Sequence, residues 1–445
     1  MNVGCEALST ADTIYALSSG AGRAGVAVIR VSGSRAGSLV RDLCDGLPEP
    51  RKAVLRRLRA LSDGQTIDEA LVVWFPGPHS FTGEDVAEFH VHGSSGVVRW
   101  LCEELRDHGG SRPASAGEFS RRAFQNGKLD LVEIEGLADV LAAETRQQVR
   151  QALFHVDGHA SEIFAGWRSE LVRVLALVEA CIDFSDEEGV EAGAKPEISS
   201  VLTGLRDAMS RQLEGAQRGR RVRQGIRVVL AGGPNAGKSS LMNAIAARDV
   251  AIVSRHAGTT RDVVEVSLDL AGHAVELADT AGIRETCDSE VEQLGIGRTL
   301  ERIAEADLVL AVAAPDVPWP DVKMDSAAIR VWNKSDLPIH GEQHEADISV
   351  SASTGEGLPD LLRMIESRVK ALAGENEPAL LVRDRQVHAV RACLRHIQAA
   401  DSAALPLEIV AEEIRSAVRV LEQLIGKVDV EDLLDDIFSR FCIGK

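Results

Sequence analysis

The chain has 445 residues, roughly two to four domains at ordinary size, and its balance of 45% hydrophobic to 26% charged residues suits a globular protein that folds without disulfides or a structural metal. A formal net charge of -19 excludes a surface coated in basic residues for gripping nucleic acid, and the short clusters Arg51-Lys52, Arg56-Arg57 and Arg218 to Arg223 read as solvated helix faces or linker. Seven cysteines without a CxxC pair, a Met1 to Thr10 stretch lacking both a basic start and an apolar run, and no apolar stretch of spanning length predict a reduced, cytoplasmic protein with no membrane segment.

Residues 1–128 carry short strand-like runs at Val26 to Val31, Leu71 to Phe75 and Val86 to His92. Turn clusters such as Phe75-Pro76-Gly77-Pro78 separate them, and the segment predicts a small α+β domain. His90 and His92 share one face at strand spacing; a metal pair needs further ligands, so both read as ordinary strand residues. From Leu129 the pattern turns helical. Val149, Ala152, Leu153, Val156, Ala160, Ile163, Phe164, Trp167, Leu171, Val174, Leu175 and Val178 form one apolar stripe, on a long helix or on two consecutive ones. Ser185 to Pro196, acidic and Gly-containing, predicts a loop.

From Ile226 the pattern alternates. Strand-like runs at Ile226 to Ala231, Val263 to Leu270, Val275 to Ala278, Leu308 to Val312, Ile329 to Trp332 and Ile348 to Val350 are mostly followed by helical ones, which predicts a doubly wound α/β domain. Ala371 to Pro378 reads as a linker. Beyond it, Val410, Ile414, Ala417, Val418, Leu421, Leu424 and Ile425 share a helix face, Gly426 stops that helix, and Asp429 can cap the next, whose stripe is Leu433, Leu434, Ile437, Phe438 and Phe441. Neither helical segment alone has many stripes to bury. The expected architecture is multidomain: an α+β domain at 1–128, a discontinuous all-helical domain at 129–222 and 376–445, and an α/β domain at 223–375 inserted between its halves.

The inserted domain carries the chemistry. Gly232-Gly233-Pro234-Asn235-Ala236-Gly237-Lys238-Ser239 matches a phosphate-binding loop, with Ser240 beside it, after an apolar strand and at the start of a helix predicted over Ser239 to Ala247. Glycines let backbone N–H groups curl around phosphate oxygens, and the helix N-terminus adds partial positive charge. Lys238 reaches the β- and γ-phosphates of a nucleotide, and the Ser239 hydroxyl can ligate Mg²⁺. Asp279-Thr280-Ala281-Gly282 follows another strand-like run; the Asp can hold Mg²⁺ through water, and the Gly282 N–H can bind the γ-phosphate. Between them lies Gly258-Thr259-Thr260-Arg261-Asp262, where Thr260 is the candidate second hydroxyl on Mg²⁺; such a threonine engages only with a γ-phosphate present, which makes its loop a switch.

Asn333-Lys334-Ser335-Asp336 follows the strand-like Ile329 to Trp332. A carboxylate at Asp336 accepts from guanine N1–H and the 2-amino group, which adenine does not offer. Lys334 packs along the base plane, and Ser351-Ala352-Ser353 offers a backbone N–H to the guanine oxygen. These elements, in the order of the small GTPase fold, define a Ras-like P-loop G domain that binds and hydrolyses GTP. Where Ras-like enzymes place a water-orienting Gln after the Asp-Thr-Ala-Gly motif, this chain has Ile283, so hydrolysis uses another group. Asn235 can ligate a monovalent cation beside the phosphates, supplying the positive charge that an arginine finger supplies elsewhere.

These G motifs, the tail Phe441-Cys442-Ile443-Gly444-Lys445, and the stretches Asp12-Thr13-Ile14, Phe81-Thr82-Gly83-Glu84-Asp85-Val86 and Asn126-Gly127-Lys128-Leu129-Asp130 together resemble the MnmE (TrmE) family of tRNA modification GTPases over essentially the full length. The resemblance implies a homodimer with an N-terminal folate-binding domain, acting with an FAD-dependent partner, MnmG (GidA). Together they would place an aminomethyl or carboxymethylaminomethyl group on C5 of a tRNA wobble uridine, the one-carbon unit coming from a tetrahydrofolate derivative. It implies that Asn235 ligates K⁺, with Ser254, His256 and Thr259 in the loop completing its shell; two of these positions depart from the family's usual residues, which ligation by backbone carbonyls tolerates. Glu292 matches the glutamate that helps order the attacking water, and Arg23, Glu84, Lys128 and Lys445 match folate-contacting positions. Gly233 stands where an Arg is common. Cys442 reads as a small apolar residue near the chain end, with no His near it in sequence.

A second reading is a regulatory or ribosome-assembly GTPase without modification chemistry. Arg23, Glu84, Lys128 and the Cys442 to Lys445 tail separate the two, since they make sense around a folate and not in a plain switch.

Overall fold

A computed structural model describes residues 12–107, 109–184, 190–248, 265–279, 302–320, 328–338, 345–374, 377–402, 405–428, and positions 434, 435, 437, 438, 441 and 444. Contacts divide the chain into two compact units, Met1–Ala138 with Glu422–Lys445, and Asp139–Leu421.

The first unit runs β1 (Ile14–Leu17), β2 (Ala24–Ser32), α1 (Ala36–Cys44), β3 (Val54–Arg59), β4 (Thr66–Phe75), β5 (Val86–Gly93), α2 (Ser95–Asp107), β6 (Arg112–Pro113), α3 (Glu118–Gln125) and the start of α4 (Leu131–Ala142). Among the described residues its strands form one sheet in the order β3-β4-β5-β2-β1-β6, antiparallel except for the parallel β1–β6 pair. Period-two alternation decides which side each residue serves. Ala70, Val72 and Trp74 of β4 point inward, joined by Ile67 across a register shift in the β3–β4 pairing, and pack with Ile29, Val31 and Phe89 against Leu39, Leu43, Leu101 and Leu105 of α1 and α2. The opposite face keeps Leu55 and Leu71, direct cross-strand partners, 62% and 45% exposed. A second cluster joins Leu131 and Ile134 of α4 to Leu434, Phe438 and Phe441 near the chain end.

The second unit opens with α5 (Arg146–Val156), α6 (His159–Asp183) and α7 (Val190–Gln224). The long apolar stripe is thus two helices. Gly158, at φ +82°, breaks the register between them, and a capping box of Thr145 with Gln148 starts α5. Part of the acidic stretch expected to loop is helical from Val190. Pro196 lies inside α7 rather than ending it: one missing N–H and its strain are a local cost against a 35-residue helix packed on α6 and other helices.

Gly225 turns the chain directly from α7 into β7 (Ile226–Ala231), followed by α8 (Lys238–Ala246), β8 (Glu265–Leu270), β9 (His273–Asp279), β10 (Leu308–Ala313), β11 (Ala328–Trp332), β12 (Ile348–Ser349) and α9 (Leu358–Ala373). The strand order is β12-β11-β10-β7-β9-β8, parallel throughout except for the β8–β9 hairpin. Apolar runs such as Val228 to Ala231 are buried on both faces, as parallel strands require. The chain proceeds from β7 first to one side of the sheet and then to the other. The loop after β7 therefore emerges at the switch point, where α/β sheets bind ligands.

After α9 the chain returns to helices, α10 (Asp384–Ala400) and α11 (Leu407–Leu424). Cys393 of α10 packs on the Ala417 carbonyl of α11, Arg415 of α11 pairs with Glu179 of α6 at 2.9 Å, and Arg206 of α7 lies 3.5 Å from Asp401 just past α10. The helices before and after the α/β domain therefore pack together. Both crossings into that domain meet at one carboxylate, since Asp139 Oδ1 accepts from Arg223 at 2.9 Å and from Arg383 at 2.7 Å. Gln151 of α5 pins the returning segment by two 2.7 Å bonds to the Ala379 backbone.

Candidate functional site

Gly232 begins the phosphate loop hard against the Val312 carbonyl, where a Cβ would lie 2.4 Å away. Asn235 and Gly237 take left-handed backbone, φ +64° and +85°, which curls the segment so that successive N–H groups face one concavity. Gly237 has a second constraint: a Cβ there would sit 2.3 Å from Asn333 Nδ2. The helix α8 starts at Lys238, one residue before its sequence-predicted start. The buried Lys238 ammonium donates to the Gly232 and Gly233 carbonyls at 2.8 and 3.1 Å, which holds it across the loop.

Ser239 Oγ donates to Asp279 Oδ2 at 2.5 Å. The pairing of β7 with β9 brings them together, aligning Leu230 with Asp279 so that the loop after one strand meets the carboxylate at the end of the other. A hydroxyl and a carboxylate converge there, an all-oxygen pair of the kind that suits a hard divalent cation.

The Asn333 to Asp336 and Ser351 to Ser353 segments are joined to the Gly232 to Ser239 loop by one side chain. Asn333, 1% exposed, donates from Nδ2 to the Ala236 and Gly237 carbonyls at 2.9 and 3.4 Å, while its Oδ1 accepts from the Ala352 N–H at 3.2 Å. Lys334 turns through φ +59°, Ser335 N–H donates to Val350 O, and Asp336 follows with its carboxylate fixed by Ser351 Oγ at 2.6 Å and Ser353 Oγ at 3.3 Å. The Ser351 hydroxyl, foremost, holds the Asp336 carboxyl below its ordinary range. Asn235, Ala236, Gly237, Lys238, Ser239, Ser240, Asp279, Asn333, Lys334, Ser335, Asp336, Ser351, Ala352 and Ser353 thus gather at one end of one sheet. Ser254, His256, Gly258, Thr259, Thr260, Thr280, Ala281, Gly282, Glu292, Cys442 and Lys445 lie outside the described residues.

In the first unit Lys128 lines an open cavity of about 300 Å³ with Arg51, Phe75, Phe81 and Glu88, among others. Arg23 is exposed and does not line it. Glu84 is instead held in a buried charge network that sequence reasoning missed. Its carboxylate accepts from Ser32 Oγ at 2.7 Å and from Arg122, which also pairs with Asp12 at 2.8 Å and Glu118 at 3.0 Å; Arg112 reaches Asp12 and Glu118 from the other side. Of its members only Asp12 and Glu84 fall in motifs that marked the family resemblance.

Family models match two stretches: one described as the MnmE helical domain covers residues 131–442, and one described as the GTP-binding protein TrmE N-terminus covers residues 13–128. The chain is 46% identical over 442 residues to the tRNA modification GTPase MnmE of Roseobacter denitrificans, spanning 98% of this chain and 100% of that one. It is 48% identical over 448 residues to the tRNA modification GTPase MnmE of Rhizobium meliloti, again across 98% and 100%. Among solved structures, the G domain of the T. maritima FeoB iron transporter aligns with 33% of this chain and 99% of that chain, at 26% identity and a TM-score of 0.23.

Proposed function

This chain belongs to the MnmE (TrmE) family of tRNA modification GTPases, and on that premise we propose that it is a K⁺-dependent GTPase that works with an FAD-dependent partner on C5 of a tRNA wobble uridine. The observation that carries the nucleotide half of this reading is the bracing of the phosphate loop to the Asp336 segment through Asn333, with Asp279 beside Ser239. One end of the pocket offers an ammonium and backbone N–H groups to a triphosphate, and the other a carboxylate to guanine.

Ser239 and Asp279 are the described residues that would hold Mg²⁺, joined by Thr260. The ion, when bound, neutralises charge on the β- and γ-phosphates. The chain's own groups do the rest. Lys238 and the loop N–H groups orient the γ-phosphate, Asp336 fixes the base, and Glu292 orders the attacking water. Asn235 would bind K⁺ with Ser254, His256 and Thr259, and its left-handed backbone within the phosphate loop suits that role. In the first unit, the aromatic cavity beside Lys128 supports a tetrahydrofolate derivative as the one-carbon source; Arg23 and Glu84 do not line it, and they and Lys445 are proposed as contacts on the family resemblance alone. The exposed Leu55–Leu71 pair on the open sheet face supports a homodimer, because a second copy would cover it.

Two measurements test this. Nucleoside analysis of tRNA from a strain lacking the gene should show the C5-modified wobble uridine lost, and restored by the gene. Unchanged tRNA would favour the regulatory or assembly GTPase. Turnover in K⁺ should exceed that in Na⁺ by on the order of 10²-fold, the scale of one transition-state charge contact, and Asn235→Ala should erase the difference. Equal rates in the two salts for the unaltered protein would remove K⁺ from the mechanism.

A further inference from the structure

The chain has 68 acidic residues against 49 lysines and arginines, so a polyanionic substrate must find a locally positive face. Some helix arginines elsewhere are neutralised: Arg173 reaches Glu170, Arg206 reaches Asp207 and Asp401, Arg220 reaches Asp384, and Arg415 reaches Glu179 and Glu412; others, Arg146, Arg150 and Arg419 among them, are exposed without an ion pair among the described residues. Helix α10 gathers such groups on one stripe with few acids of its own. Within Asp384–Ala400 its arginines are Arg385, Arg391 and Arg395, and its one acid is Asp384 at the first position. His388, Arg391 and Arg395 recur at i, i+3 and i+7 and are exposed, while Val387, Val390, Cys393 and Ile397 bury the opposite stripe. Among the described residues, Arg391 and Arg395 make no ion pair. The other histidine of the helix, His396, turns aside to Glu413 of α11 at 2.7 Å.

The neighbouring helix extends the pattern. The pairs Arg206–Asp401 and Arg220–Asp384 fix α7 antiparallel to α10, which sets the exposed Arg211 level with Arg395. One exposed acid, Glu214, falls level with Arg391 and makes no ion pair among the described residues.

We propose that this solvent face of α10, centred on Arg391 and Arg395, docks the phosphodiester backbone of the tRNA substrate. The proposal rests on the tRNA reading and adds where the chain grips the nucleic acid. Arg391 and Arg395 are separated by about 6 Å of helix rise, the order of the spacing between successive phosphates on an RNA strand. No Phe, Tyr or Trp lies on the exposed stripe and His388 is its one ring, so what the face chiefly offers is charge. Backbone contact of this kind positions an RNA without reading its sequence.

The test uses the full-length protein and unfractionated tRNA, with binding measured across a series of sodium salt concentrations. R391Q/R395Q, and separately R391E/R395E, should weaken binding roughly ten-fold or more at low salt and lower the slope of log K against log salt by about 1.4, near 0.7 for each lost single-stranded phosphate contact. Glu214→Gln should tighten binding. GTP turnover without tRNA should stay at the starting rate, since neither arginine belongs to the nucleotide pocket, and it serves as the check on folding. An unaltered slope and affinity in the folded variants overturns the proposal, as does an unaltered protein whose tRNA binding has no salt dependence. Lost affinity for the FAD-dependent partner with tRNA binding intact overturns it in favour of a protein interface. Failure of the tRNA reading itself is seen separately, in the nucleoside analysis.

Discussion

Asp336→Asn will exchange the protein's base preference, weakening GTP by about 10- to 100-fold and creating affinity for xanthosine triphosphate. In the proposed guanine site the Asp336 carboxylate accepts and cannot donate, and guanine presents two donors to it, N1–H and the 2-amino group. Asn turns an amide N–H₂ toward one of them and leaves a donor facing a donor. Stranding a hydrogen-bonding group in this way costs about 1–3 kcal/mol, and 1.4 kcal/mol is ten-fold in affinity. Xanthine carries a carbonyl in place of the 2-amino group and accepts what the new amide donates. The effect should stay at the base end. Asn333 ties the segment to the phosphate loop through its own side chain, and Ser351 and Ser353 hold position 336 in place. At saturating xanthosine triphosphate the variant should therefore turn over near the starting rate. Competition titration with the two nucleotides reads the result, and an unchanged ratio of affinities would refute the guanine site.

Arg122→Met will destabilise the first unit by about 3–5 kcal/mol, the usual cost of breaking a buried ion pair from one side. The guanidinium is 4% exposed and holds Asp12, Glu84 and Glu118 at once. Methionine fills the volume and leaves Glu84 with Ser32 as its remaining side-chain partner among these groups. Calorimetry should show the transition of that unit fall by on the order of 10 °C. The same network makes the unit acid-labile. Burial pushes the carboxyls of Asp12 and Glu118 up, but bonds from Arg112 and Arg122, and for Glu118 also the Ser115 N–H, outweigh it and hold both below their ordinary 3.8 and 4.5. A folded-state value below the unfolded one means the stabilisation is full above those ordinary values and is lost as the pH falls beneath them. The variant should lose part of that pH dependence, and a variant that melts like the parent across this range would show the network to be idle.

Legibility from sequence divided along a physical line. The phosphate loop, Asp279, Asn333 and Asp336 could be read because each motif follows a strand and its chemistry depends on backbone conformation local to a few residues. Gly426 announced a helix end for the same reason. The Arg122 network could not be read, since its members are up to 110 residues apart and no periodicity links them. Nor could the bracing role of Asn333: its amide reaches 97 residues back along the chain, a distance only the sheet closes. Pro196 misled because a local breaker lost to a long packed helix. The open sheet face escaped notice because Leu55 and Leu71 look like ordinary strand residues until β3 and β4 are paired.

The meeting of Arg223 and Arg383 on Asp139 makes the G domain a module with one doorway. Its first and last residues leave the helices side by side, while Arg221 on Asp307, Gln147 on the Gly272 carbonyl and Val222 against the G-domain core seat it on α5 and α7. Replacing residues 226–374 by a few glycines and serines should leave a helical protein that still folds, and a foreign domain with neighbouring ends could be seated at the same threshold.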